Sequence, residues 1–160
     1  MDSNAFVCTT YIKATPEQLW QGLTDPAFTR RYWGVEFVTD WTAGSAMVWR
    51  ERDTETADPG QVVREADPYR RLSYTWHTFT PGWAKANGID DGTLAELAAE
   101  QRSKVTFEIE DLGGTVKLTV VHDGFEPGST ARKMIQHGWP ALVSGLKTLL
   151  ETGDTLPEPA

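Results

Sequence analysis

Between Ser129 and Thr152 the apolar positions recur at steps of four and three residues. Ile135, Trp139, Leu142, Leu146 and Leu149 form one stripe, and Val143 and Leu150 widen it. That period describes a helix with one face that must be covered. Ser129 is placed to cap its start and Gly153 to end it. At 1.5 Å per residue the helix is roughly 36 Å long, enough to cover a whole sheet. Pro140 lies inside it. Proline lacks the backbone N–H and crowds the preceding turn, which predicts a kink near Gly138-Trp139-Pro140 and a gap beneath the helix.

Most of the remaining chain alternates with period two. Ala5 to Lys13 reads as a strand. Thr15-Pro16-Glu17-Gln18 then opens a short helix, with Thr15 as cap, Pro16 at the first helical position and Gln18 closing a capping box. Asp25-Pro26 repeats the signal for a second short helix to about Tyr32, ended by Gly34. Strands follow at Val35–Thr39, Ser45–Glu51, Gln61–Ala66, Arg70–Thr78, Lys104–Glu110 and Thr115–His122. The polar stretch from Asp53 to Gly60, with Pro59-Gly60, reads as a loop or hairpin turn. Residues Phe79 to Gln101 interrupt the strands, with turn pairs at Pro81-Gly82 and Asn87-Gly88. Within them Thr93-Leu94-Ala95-Glu96 reads as a capping box opening a helix to about Gln101. An insertion of that length is either a lid or a surface excursion.

The order is thus strand, two short helices, six strands, long helix. Short turns between strands imply an antiparallel sheet of about seven strands. Its apolar face must curl around the long C-terminal helix, giving an α+β fold. The expected organisation is a single domain over residues 1–153 with a flexible tail at 154–160.

Composition narrows the function. The chain has 160 residues, 39% hydrophobic, which suits one domain with a real core. Its formal net charge is −8, from 15 basic and 23 acidic residues. Such a chain is repelled by phosphate backbones and anionic lipid, so neither nucleic acid nor a membrane surface is the expected partner. Cys8 is the single cysteine, so no internal disulfide forms, and its strand position reads as a small buried hydrophobe. The N-terminal MDSNAFVCTT has no basic region or long apolar run, and no stretch is long enough to span a bilayer. A cytoplasmic protein, monomeric or homodimeric, is the expectation.

Specific residues then point to a family. They are Thr15 to Trp20 with Leu23-Thr24-Asp25-Pro26; Tyr32-Trp33-Gly34; Asp40-Trp41 and Gly44-Ser45. To these add Asp67-Pro68 with Arg71 to Trp76, and Gly138-Trp139 with Leu142 and Leu146. In this order they resemble the START-like (SRPBCC) superfamily, in the branch named after the activator of Hsp90 ATPase. The resemblance covers about Ala5 to Glu151. It implies the helix-grip fold and a cavity between sheet and helix. Ligand binding is the commonest role in that superfamily, and some relatives catalyse cyclisation or hydrolysis. The branch name implies a chaperone as a further partner.

No residue pattern assigns a catalytic centre. His77, His122 and His137 lie on different elements, and no HxxxH or CxxC spacing is present, so no metal is expected. No GxSxG elbow and no glycine-rich phosphate loop occurs, and no cofactor is expected. The aromatics carry the signal. Trp49, Tyr74, Trp76, Phe107 and Trp139 all project from predicted inner faces, the kind of wall that lines an apolar pocket. Trp33, Met47, Leu118, His122 and Val143 complete the candidate ligand-binding set. The expected ligand is a small apolar or aromatic molecule. His122 and Glu51 are the groups an enzyme on this scaffold would use as acid or base.

Overall fold

The computed structural model describes residues 3–157 of the chain. Strand β1 (Phe6–Ile12) leads into helices α1 (Pro16–Thr24) and α2 (Pro26–Tyr32). Strands β2 (Val35–Val38), β3 (Ala46–Glu51), β4 (Thr54–Asp67) and β5 (Arg71–Thr75) follow. Helices α3 (Pro81–Ala86) and α4 (Asp91–Ala99) separate these from β6 (Lys104–Asp111) and β7 (Val116–Asp123). Helix α5 (Thr130–Thr152) closes the fold. Among the described residues the strands form one antiparallel seven-stranded sheet in the order β1-β7-β6-β5-β4-β3-β2. The expected tail falls partly on residues 158–160, outside those described. Residues 154–157 are exposed and carry no regular structure.

Local chemistry starts and ends the helices where the sequence places the signals. The Thr15 hydroxyl accepts from Gln18 N at 3.1 Å, and the Gln18 side chain accepts from Thr15 N at 2.9 Å. Asp25 accepts from Ala27 N to start α2. The Ser129 hydroxyl accepts from Arg132 N at 3.0 Å. Gly153 ends α5 at φ 82°, a left-handed conformation that suits glycine, with its N–H donating to Leu149 O.

Helix α5 lays Ala131, Ile135, Trp139, Val143, Leu146 and Leu149 into the core. Burying one large apolar side chain is worth about 1.5–3 kcal/mol, so this stripe holds helix to sheet. The helix continues unbroken through Pro140, which sits on its exposed side. On β7 the residues Val116, Leu118, Val120 and His122 are buried in strict alternation. Cys8 is half-buried and packs at the edge of the core, and burial raises its thiol pKa.

The sequence reading is corrected in four places. Of the segment read as a loop or hairpin turn from Asp53 to Gly60, only Asp53 lies in the turn and the rest belongs to β4. The hairpin turns instead at Arg52 and Asp53, both at positive φ. Pro59-Gly60 falls in an irregularity of the β3–β4 ladder: Val48 pairs with Ala57 while Ala46 pairs with Val62. A bulge tolerates proline inside a sheet. The buried Gln61 amide stitches it, donating to Met47 O and Thr56 O and accepting from Thr78 N. Next, β5 ends at Thr75, so period-two alternation does not reach Trp76 and His77. Third, Pro81-Gly82 is no turn: Thr80 caps α3, with Pro81 in its first turn. Last, α4 is capped by Asp90, whose carboxylate accepts from Thr93 N at 2.7 Å.

Candidate functional site

Five tryptophans from five places in the chain meet under the N-terminal half of α5. Trp33 comes from the end of α2, Trp49 from β3, Trp76 from just beyond β5, Trp83 from α3 and Trp139 from α5. Trp49 and Trp76 have ring centroids 4.9 Å apart, and Trp33 stands 5.6 Å from Trp139 in an edge-to-face arrangement. The rings enclose one side of a recess of about 280 Å3. Ala131, Met134, Ile135, Gly138 and Leu142 of α5 wall the other side. A Cβ placed on Gly138 would meet no atom within 4 Å, so the helix is thinned where it borders this space.

Besides the indoles, three polar side chains enter the lining: Glu51, His77 and Asn87. Glu51 ends β3 and is half-buried. Burial raises its pKa, while a hydrogen bond from Trp83 and the charge of Arg52 act the other way. His77 is buried among rings, its centroid 5.0 Å from those of Trp49 and Phe79. Its Nδ1 lies 2.9 Å from the carbonyl of Thr78. A carbonyl only accepts, so Nδ1 carries the proton and Nε2 presents a lone pair. Burial holds its pKa down at about 4, so the ring is neutral at neutral pH. Asn87 donates Nδ2–H to the carbonyl of Trp83 at 2.9 Å, which leaves its Oδ1 as an acceptor.

The expected site residues fall into three groups. Trp33, Trp49, Trp76 and Trp139 border the recess. Phe107, Leu118 and Val143 border instead a second void of about 10 Å3, deeper between sheet and α5. Trp33 and Trp139 touch both. Met47 and Tyr74 are 1% and 0% exposed and belong to the packed core away from the recess. His122 is also fully buried and is held at both nitrogens. Nδ1 accepts from Trp139 Nε1 at 3.0 Å, and Nε2 lies 2.8 Å from the Ser103 hydroxyl. Burial lowers its pKa to about 3. His122 therefore sits behind Trp139 rather than in the recess.

The comparisons with known proteins agree with this architecture. Residues 13–151 match the family model described as activator of Hsp90 ATPase homolog 1-like protein. The chain belongs to this family. No curated protein matches it. Among solved structures it is similar to a protein from Mesorhizobium loti, at 23% identity over 91% of this chain and 96% of that one, with a TM-score of 0.71. It is also similar to the Aha1 dimer from Colwellia psychrerythraea, at 17% identity over 93% and 97%, TM-score 0.67. A third is DynU16, from the dynemicin biosynthetic locus, at 19% identity over 96% of this chain and 49% of that one, TM-score 0.65. At these identities the likenesses establish the helix-grip fold.

Within this Hsp90-activator-like chain, sequence reasoning left out Trp83, His77, Asn87 and Phe79 as members of the lining. A signal for Trp83 was present. Thr80-Pro81 repeats the cap-then-proline start of Thr15-Pro16 and Asp25-Pro26, and the helix it opens carries Trp83 inward. For His77 alternation pointed to the wrong face, because the strand has already ended. The α3–α4 insertion is tied to α5 by Glu100, whose carboxylate accepts from Ser129 Oγ and from Thr130 N at 3.0 Å. A carboxylate there offsets the positive end of the helix. Among the described residues no group of histidine, cysteine and carboxylate side chains could hold a metal, and no helix is long and apolar enough to cross a membrane.

Proposed function

We propose that the chain binds a small apolar or aromatic molecule in the recess between α5 and the sheet. One observation carries this reading: five tryptophans and Phe79 converge around about 280 Å3 of space, with only a few polar groups among them. Small-molecule sites are concave and mostly apolar, with a few polar groups that fix orientation, and span roughly 300–1,000 Å3. The recess lies just below that range, which suits a ligand of one or two rings. The test is a thermal-shift and tryptophan-fluorescence screen of small apolar compounds. A ligand at a hundred times its Kd adds about 2.7 kcal/mol to folding stability. A set of ring compounds that neither raises the melting temperature nor perturbs the fluorescence would end the reading.

A second reading is an enzyme of cyclase or hydrolase type on the same scaffold. Glu51 favours it, because a half-buried carboxyl with a raised pKa in a recess is suited to proton transfer. Turnover of a cyclisable or hydrolysable substrate that survives Glu51→Gln would remove Glu51 from that role. Family membership also supports a chaperone as a partner, and the Colwellia Aha1 dimer supports self-association as a homodimer. Stimulation of a chaperone ATPase and the solution mass would test these two points separately.

A further inference from the structure

The recess has a definite electrostatic character. None of its lining residues is lysine or arginine. Besides the indoles, its polar side chains all present acceptors. Glu51 supplies two carboxylate oxygens, which together offer about four lone-pair sites. His77 supplies Nε2, since Nδ1–H is spent on the carbonyl of Thr78. Asn87 supplies Oδ1 as an acceptor; one of its two Nδ2–H groups is spent on the carbonyl of Trp83 and the other stays a donor.

Two of the five indole donors are withdrawn from the recess. Trp139 Nε1–H is committed to His122. Trp49 Nε1 is sealed within the wall. The neighbouring cations are committed or outside. Arg102, whose charge is felt at His77, donates to Asp58, Thr78 Oγ1 and the carbonyl of Trp76. Arg52 sits in the exposed β3–β4 turn.

Indole rings surround these acceptors, and the negative faces of indoles attract cations strongly. A carboxylate held partly out of water, with only the charge of the exposed Arg52 acting on it, is costly, and a cation beside it relieves that cost. An anionic ligand would meet the same carboxylate with no positive side chain in the lining.

Building on the reading that the recess binds a small apolar molecule, we propose that its preferred occupant is an organic cation. The ligand class is a protonated amine with an aryl or alkyl body. The body lies among Trp33, Trp49, Trp76 and Trp139, and the ammonium group donates to Glu51, with His77 Nε2 and Asn87 Oδ1 as further acceptors.

The experiment compares three probes of one shape: phenylbutylammonium, phenylbutanol and phenylbutanoate. Affinities are measured by calorimetry and by tryptophan fluorescence at neutral pH. The ammonium is expected to bind about tenfold more tightly than the alcohol, a difference of about 1.4 kcal/mol, with the carboxylate weakest. Glu51→Gln should remove that advantage, lowering ammonium affinity about tenfold and alcohol affinity much less. Gly138→Leu, which fills the recess from α5, should abolish binding of both. An alcohol that binds as tightly as the ammonium, or an ammonium preference untouched by Glu51→Gln, would overturn the cation inference while leaving apolar binding standing. Ammonium binding that survives Gly138→Leu would place the amine elsewhere and overturn it too. Absence of binding by all three probes would overturn both this inference and the reading beneath it.

Discussion

The indole N–H of Trp139 donates to Nδ1 of His122 across 3.0 Å inside the core. This bond fixes the tautomer. Nδ1 accepts, so Nε2 carries the proton and donates to the Ser103 hydroxyl at 2.8 Å. The pair joins the middle of α5 to β7 and, through Ser103, to the start of β6. It also sets the ring plane of Trp139, one wall of the recess. A residue whose sequence position suggested an acid or base is thereby a positioning residue for an aromatic wall.

Trp139 should show both roles. Trp139→Ala should cost about 3–5 kcal/mol through lost burial and a new void. Trp139→Phe keeps most of the area but leaves His122 Nδ1 without its donor in the core, which costs about 1–3 kcal/mol. A double-mutant cycle with His122→Leu should return a coupling on the order of 1 kcal/mol or more. Urea unfolding of the three variants measures it. Coupling near zero would mean that the bond contributes nothing to holding α5. Ligand affinity on the same Trp139→Phe protein should fall about tenfold, since the indole gives the wall its shape.

Two buried neutral histidines set an acid limit on stability. In an unfolded chain a histidine takes up its proton near pH 6.5, at about its unperturbed pKa. Burial, above all, holds His77 down to about 4 and His122 down to about 3 in the fold. Above pH 6.5 both states are neutral and the histidines' contribution is complete. As pH falls below 6.5 the unfolded state binds protons that the folded state refuses. Stability should then drop by about 1.4 kcal/mol per pH unit for each histidine. For His77 the drop ends near pH 4, and for His122 near pH 3. Urea unfolding at pH 7, 6 and 5 checks this, and His77→Gln should flatten the slope. An unchanged slope in that variant would show that His77 titrates normally in the fold.

Periodicity made most of the scaffold legible, and the exceptions have physical causes. Long segments with one buried face, such as α5 and β7, carry their pattern in every second or every third and fourth residue. Caps are equally local, so Thr15, Asp25, Ser129 and Gly153 could be read directly. The wall of the recess was harder. Beside Trp49 of β3 and Trp139 of α5, it draws on a helix end, a strand that has just stopped and a six-residue helix, none long enough to show a period. Trp76 to Phe79 lie where alternation lapses, so His77 and Phe79 could be placed only by tertiary contacts. Conversely, Met47, Tyr74 and Phe107 do point inward, as alternation requires, but inward there means packed core. Period two gives a face of the sheet; it does not separate a filled part of that face from an open one.

Gly138 offers a direct test of the open part. It lies inside α5, where glycine is worse than alanine by about 1 kcal/mol. A Cβ there would meet no atom within 4 Å. Gly138→Ala should therefore stabilise the fold by up to about 1 kcal/mol, read from urea midpoints. Gly138→Leu should retain the fold and occupy the recess, eliminating the fluorescence response to apolar ligands. A variant that folds, fills the helix position and still binds with full affinity would move the binding site away from α5.

Pro140 follows Trp139 directly and faces water. Inside a helix proline costs about 3 kcal/mol relative to alanine, because it removes one backbone hydrogen bond and its ring crowds the carbonyl of Gln136. Pro140→Ala should accordingly stabilise the protein, by up to about 3 kcal/mol if α5 keeps its present path. The consequence for ligand binding depends on what the proline does to that path. Gly138, Trp139 and Leu142, on either side of it, all border the recess. A local bend at Pro140 would hold these residues away from Trp33 and Trp76, and straightening the helix would bring them closer. The expected result is a higher melting temperature together with weaker ligand affinity, a trade of function for stability. Thermal unfolding and ligand titration on the same Pro140→Ala sample decide the matter. Stabilisation with unchanged affinity would show that the recess is shaped by side chains alone, with Gly138 and the tryptophan wall sufficient to keep it open.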